Sequence, residues 1–362
     1  ISDFKNAKSA NKQIEAIKKV DNFSRDYMTY QAMASLNFSR NINDVDAKAE
    51  KSYYDSISPD MTELYDRFDK VLHESKFKQN IIDEYGNTFL NQIEISLKTF
   101  DSKIKNLLKR EIELKNDYTK LTAGAKIKYE GKDYNLAGLG PFHSDTNRDI
   151  RKKSYEARYL WFKNNEQELD NIYDKLVKLR HKIAVTLGYE NFIKLGYDRM
   201  GRSDYGPEEV SNFRKQIVEQ VVPIVSKLHD QKKDILGLDK LYFYDGINFR
   251  DGDPKPKGTP NELIKSAQEM YHELSPETGD FFDKMVNEEL MDLVNRDGKR
   301  PGGFCTSFPK YDRPYIFSNF NGTDHDITVL THEAGHAFQN YSSTHLPLVK
   351  YHWPTMEAAE IH

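Results

Sequence analysis

THEAGHAFQN, residues 331–340, decides how this chain is read. It places His332 and His336 four residues apart, with Glu333 directly after the first histidine. An α-helix turns about 100° per residue, so side chains at i and i+4 project side by side. Two imidazoles placed this way can hold one metal ion at about 2.0–2.1 Å. The glutamate between them then flanks an activated water and can act as general base. Along the same helix, Ile327, Leu330, Ala334, Ala337 and Tyr341 form an apolar face. The two histidines fall opposite it. They are expected outside the buried stripe; the alternative is a solvated helix face carrying chance histidines, against which the H-E-x-x-H spacing, in register with a helix just after a strand and turn, favours a metal site.

A catalytic zinc needs a third protein ligand. The extended motif that supplies one as H-E-x-x-H-x-x-G-x-x-H is absent, because Gln339 and Ser342 occupy its last two fixed positions. A glutamate on a returning helix is the alternative. WPTMEAAEIH (353–362) offers Glu357 and Glu360, three apart on one side of a helix that Pro354 would start. His345 and His352, in the intervening loop, are further candidates. Two neutral imidazoles and one carboxylate would leave Zn²⁺ with an open position for water.

Working outward, RPYIFSNFNG (313–322) reads as a strand followed by an Asn321-Gly322 turn. Tyr315, Phe317 and Asn319 alternate with Ile316, Ser318 and Phe320. Asp324 or Asp326 is expected to cap the motif helix. Upstream, residues 1–118 show helical spacing, as in Tyr65, Phe68, Val71 and Leu72, and again in Phe89, Leu90, Ile93 and Leu97. AKIKYEGKDYNLAGL (125–139) predicts a hairpin about Glu130-Gly131. Ser144, Asp145 or Thr146 would cap the helix after it, and Gly188 suits a helix C-terminus. RDGDPKPKGTPNE (250–262) reads as a linker.

Bulk properties narrow the function. The chain has 362 residues, enough for a large core and two lobes. Its net charge of -4 offers no basic field for nucleic acid. No apolar run approaches the roughly 18 residues of a membrane span. A single cysteine, Cys305, can form no internal disulfide; it favours a reducing, cytoplasmic compartment and suits a small buried hydrophobe. The opening ISDFKNAKSA has no initiator Met and no apolar signal core.

HEAGHAFQ together with EAAEIH resembles the M3 family of zinc metallopeptidases, in its oligoendopeptidase F branch with the Pz-peptidase-like enzymes. LGYDRMGRSDY, ELSPETGDFFDKMVNEELMDL, GGFCTSF and IFSNFNGT are similar to that branch too, so the likeness runs from about residue 118 onward. The resemblance implies a mostly α, two-lobed helical zincin around a deep channel, with a small β-sheet beside the H-E-x-x-H helix. Residues 1–118 would form the N-terminal helical region and 119–362 the catalytic region. It implies one Zn²⁺ per chain on His332, His336 and Glu360, Glu333 as catalytic base, and Glu357 as a neighbour orienting a histidine. In such enzymes the catalytic region continues past the third ligand, with a tyrosine and a histidine that stabilise the oxyanion. That segment is not among these residues, so the catalytic region is expected to be truncated, its channel short of a wall and its activity low.

The function expected is zinc-dependent endopeptidase action on internal amide bonds of short peptides, with an oligopeptide as partner and neither nucleic acid nor membrane. Strand 313–320 is expected to pair with the peptide main chain. The alternatives are a helical zinc carboxypeptidase or dipeptidase, and a non-catalytic peptide-binding scaffold.

Overall fold

The computed structural model describes residues 1–361. Helices dominate: α1 (Ala10–Arg40), α2 (Val45–His73), α3 (Asn87–Thr99), α4 (Lys105–Ala123), α5 (Arg148–Asn164), α6 (Glu166–Thr186), α7 (Phe192–Arg199), α8 (Pro207–Gln216), α9 (Val222–Leu236), α10 (Pro260–Leu274), α11 (Pro276–Asn287), α12 (His325–Ser343) and the short α13 (Met356–Ala359). Local chemistry sets many boundaries. The Asp44 side chain accepts the Ala47 amide at the start of α2, and Thr259 and Glu262 form a capping box before α10. Among the described residues, no helix is long and apolar enough to cross a membrane.

The hairpin expected near residue 130 is present. β1 (Ile127–Tyr129) pairs antiparallel with β2 (Lys132–Tyr134), and Glu130 and Gly131 both take positive φ, 47° and 80°. This is the turn whose twist matches paired strands. The helix after it is capped differently from expectation. Asn147, not Ser144, Asp145 or Thr146, accepts the Asp149 amide. Residues 140–143 already form a short helical turn, so 144–146 lie in the bend after it, where Asp145 Oδ1 accepts the Asn147 amide.

The second sheet positions the site. β3 (Met291–Val294) lies parallel to β5 (Arg313–Phe320), and β4 (Phe304–Phe308) lies antiparallel to β5 on its other side. Strand 313–320 is therefore central. Both its edges are already paired, so the expected pairing of this strand with a peptide is corrected: the outer edges of the sheet belong to β3 and β4. Pro314 is tolerated in a central strand because β3 begins opposite Ile316, beyond the proline's missing N–H.

One core joins this sheet to the motif helix. Phe281, Phe282 and Met285 of α11 pack with Ile316 and Phe320 of β5 and with Leu330, Ala334 and Ala337 of α12. Ala334 and Ala337 are fully buried, and their small side chains let α12 lie close to the sheet. Ile327, expected on this face, is 47% exposed, since it sits in the first turn of α12, ahead of the packed stretch. On the other side of β4, Leu36 of α1 packs against Phe308, Tyr315 and Phe317. Arg25 of α1 adds a polar clasp, with Nε to Asp21 Oδ2 at 2.8 Å, Nη1 to Asp312 Oδ1 at 3.2 Å and Nη2 to His352 Nε2 at 3.3 Å. The N-terminal helices and the sheet are thus continuous in packing, and α4 runs through residue 118.

Candidate metal centre

The turn between β5 and α12 aims the motif. Gly322 takes φ 86°, which a side chain would resist, and Asp326 reaches back to accept the amides of Asn321 at 3.0 Å and Gly322 at 2.7 Å. Asp324 holds the N-cap position but makes no capping hydrogen bond. Asp326 therefore fixes the turn, and neither aspartate caps the helix in the expected way.

On α12, Nε2 of His332 lies 3.1 Å from Nε2 of His336, with the rings nearly perpendicular at 80°. Nε2 of His332 lies 3.6 Å from Oε2 of Glu360, at the end of α13. The three donor atoms all lie within 4.8 Å of one another. Donors at about 2.0–2.1 Å from a tetrahedral ion are separated by about 3.3 Å, so the residues present fit a zinc-sized ion with nitrogen and oxygen ligands. His332 and Glu360 are exposed while His336 is only 8% exposed, so one side of the trio faces solvent and the other is embedded. The helix face opposite the apolar stripe is thus partly buried. It packs against the start of β4.

Glu333 is 6% exposed. Its Oε2 is buried without a hydrogen-bond partner among the described residues, and its carboxylate accepts the Cys305 amide. Burial raises its pKa above the usual carboxylate value; His332 and the Cys305 amide oppose the rise, and Glu360 adds to it. The Cys305 amide points this way because of strand register. Ile316 donates its N–H to Leu290 on the β3 side, so in the Cys305–Ile316 pair the main-chain groups of Cys305 turn outward from β5. Gly303 completes the contact: a Cβ there would meet Glu333 Oε1 at 3.1 Å. The Cys305 thiol itself is held neutral by burial.

Glu357 does not orient a histidine. Its Oε1 accepts from the Arg202 guanidinium, with Nε at 2.6 Å, and its Oε2 accepts from the Tyr205 hydroxyl at 2.7 Å. Arg202 in turn lies 4.0 Å over the Tyr197 ring. This clamp ties α13, and so Glu360, to the segment after α7. Arg202 and Tyr205 stand in LGYDRMGRSDY, where sequence reading assigned neither a role. His345 faces its own helix end, Nδ1 2.7 Å from Ser342 O, and His352 faces Arg25; neither joins the trio.

Comparison with known proteins agrees with this arrangement. Residues 142–362 match the family model of peptidase family M3, and residues 1–100 match the peptidase M3 N-terminal domain. The chromosomal oligoendopeptidase F of Lactococcus lactis subsp. cremoris is 22% identical over 385 residues, covering 91% of this chain and 61% of that protein. An oligoendopeptidase F homolog of Borreliella burgdorferi is 26% identical over 227 residues, 60% of this chain and 36% of that protein. A solved structure of PZ peptidase A with an inhibitor superposes with a TM-score of 0.98 at 43% identity, covering all of this chain and 64% of that one. The chain thus spans less than two thirds of the length of these relatives. With a family model matching most of its length around the two histidines and two glutamates described above, the chain belongs to peptidase family M3.

Proposed function

We propose that the protein is a zinc-dependent oligoendopeptidase, hydrolysing internal amide bonds of short peptides with one Zn²⁺ per chain on His332, His336 and Glu360. The observation that carries this reading is the convergence of those three donors beside a buried carboxylate, Glu333, whose Oε2 has no partner among the described residues. Bound there, Zn²⁺ supplies Lewis-acid charge to a scissile carbonyl and lowers the pKa of a water. Glu333 is the base: it takes the water's proton and returns it to the leaving nitrogen. The Cys305 amide donates to this carboxylate and Gly303 lies close to its Oε1, an arrangement in which Oε2 would make the transfer. The Arg202–Glu357–Tyr205 clamp holds Glu360 toward the histidines.

The outward edge of β4 supports main-chain recognition. A peptide added to this edge would run directly past Glu333, and pairing through main-chain groups tolerates many side chains. Residues 1–118 would buttress the sheet and residues 119–362 carry the site. The single cysteine supports a cytoplasmic location. No observation favours a carboxypeptidase or a non-catalytic scaffold over this reading.

The test is Glu333→Gln. Glutamine cannot accept the water's proton, so turnover of an internally quenched peptide should fall roughly 10³-fold or more, with zinc content unchanged at one per chain. Activity within about tenfold of the parent would remove Glu333 from the role of base.

A further inference from the structure

A cavity of about 660 Å³ opens beside the metal centre. Its inner wall includes Gly303 and Val329, the same pair that meets at Glu333: a Cβ on Gly303 would lie 2.9 Å from Val329 Cγ1 and 3.1 Å from Glu333 Oε1. Its far wall is aromatic and basic. The His143 ring stacks on Tyr155 at 3.9 Å, and Arg158 stands next to them, half-buried.

The guanidinium in this cavity has no ion-pair partner among the described residues. Arg158 donates one N–H to Leu136 O at 2.9 Å and lies 5.6 Å over the Phe162 ring, and it forms no salt bridge among the described residues. Asp326 is the acid in the lining, and both its oxygens are engaged by the Asn321 and Gly322 amides. His143 adds no cation: burial and the nearby Arg158 bring its pKa down to about 4. Partly desolvated guanidinium with free N–H groups gains most from a planar carboxylate, which it can grip with two parallel bonds.

The geometry points to this cavity as a subsite for a carboxylate on the C-terminal side of the scissile bond, with Arg158 as the residue that reads it. This rests on the peptidase reading above and adds direction to it. β4 runs from Phe304 to Phe308, away from the cavity. A peptide added antiparallel to β4 therefore carries its downstream residues past Gly303 toward Arg158. The carboxylate can be the peptide's own C-terminus or an acidic side chain, since the guanidinium reads the same group in both.

The experiment uses four internally quenched peptides of one parent sequence: C-terminal amide, C-terminal acid, and Glu in place of Gln either downstream or upstream of the cleaved bond. With the parent protein, kcat/KM should rise roughly tenfold for a downstream carboxylate, mostly through KM, and not for the upstream one. Whichever of the acid-against-amide and Glu-against-Gln pairs shows the gain names the source. In Arg158→Gln that ratio should fall to about one, and Arg158→Lys should restore part of it. Indifference of the parent protein, an upstream gain, or a ratio that survives in Arg158→Gln would each overturn the assignment. Fluorescence anisotropy of the same peptides, labelled and uncleaved, reads the subsite separately. Discrimination in binding without turnover of any peptide would sink the peptidase reading and sustain the subsite. Equal affinities for carboxylate and neutral forms would sink the subsite.

Discussion

Gly303 and Glu333 touch across the junction of β4 and α12, so closely that a single added methyl at residue 303 would stand 3.1 Å from Glu333 Oε1. The missing side chain leaves room for the carboxylate to lie against the strand and accept the Cys305 amide. Gly303→Ala should therefore shift Glu333 without touching His332, His336 or Glu360. The expected result is a kcat lower by roughly ten- to a hundredfold with zinc content unchanged. An alanine variant with full activity would show that Glu333 needs no such seat.

The clamp on Glu357 makes a second prediction. Replacing Arg202 by Ala frees α13, which carries Glu360, while His332 and His336 remain on a helix packed by Ala334 and Ala337. Zinc affinity, measured by competition with a chromogenic chelator, should fall roughly 10–100-fold, as for other residues that orient a ligand. His332→Ala with His336→Ala should abolish stoichiometric binding. Chelator-stripped parent protein should melt lower and recover on adding Zn²⁺.

A third prediction concerns acid stability. Asp292 on β3 accepts from Arg40 Nε at 2.9 Å, Arg296 Nη1 at 2.7 Å and Lys299 Nζ at 2.8 Å. Burial works against its ionisation, but these cations overcome it and hold its pKa well below the usual carboxylate value. A depressed folded-state pKa means the stabilisation is complete above the unfolded value, about 3.9, and is lost as pH falls below it. Asp292→Asn should flatten the acid limb of the stability profile. It should also lower stability at pH 7 by about 3 kcal/mol, because Lys299 stays buried without its partner. Lys299 itself is lowered to about 8 by burial, so the parent protein should gain stability between pH 8 and the unfolded lysine value, near 10.4. Urea unfolding from pH 2 to pH 10 checks both limbs.

Recognition along a strand edge requires an extended substrate. A short peptide and a stable folded domain containing the same sequence should therefore be cleaved at very different rates, since the folded form must first open at a cost of several kcal/mol. A side-by-side digest followed by mass spectrometry measures the difference; equal rates would contradict edge recognition.

Much of the centre was legible because its chemistry is local. Spacing alone brings His332, Glu333 and His336 together on a helix, and the hairpin at Glu130-Gly131 and the strand 313–320 follow from turn residues and alternation. What sequence could not supply was pairing across distance. Alternation marks β5 as a strand but does not show that it is central, with β3 and β4 at the edges of the sheet. Glu357 and Glu360 share a helix side, yet only the distant Arg202 and Tyr205 show that one is anchored and the other faces the histidines. Gly303 had no signal except its place in GGFCTSF, since its importance is the space it leaves. Ile327 was misplaced because a helical wheel does not show where the packed stretch begins.

The outward edge of β4 has a second consequence. Unpaired main-chain groups on an edge strand are a template for stacking against another copy of the same edge, the usual start of aggregation. Here a buried acid occupies the Cys305 amide, and Trp353 Nε1 reaches Ser307 Oγ near the other end of the strand, at 3.1 Å. Only a short stretch is left unguarded between them. Glu333 thus also closes one donor of this edge, so Glu333→Ala, which would leave the Cys305 amide unpaired, should make concentrated protein more prone to self-association.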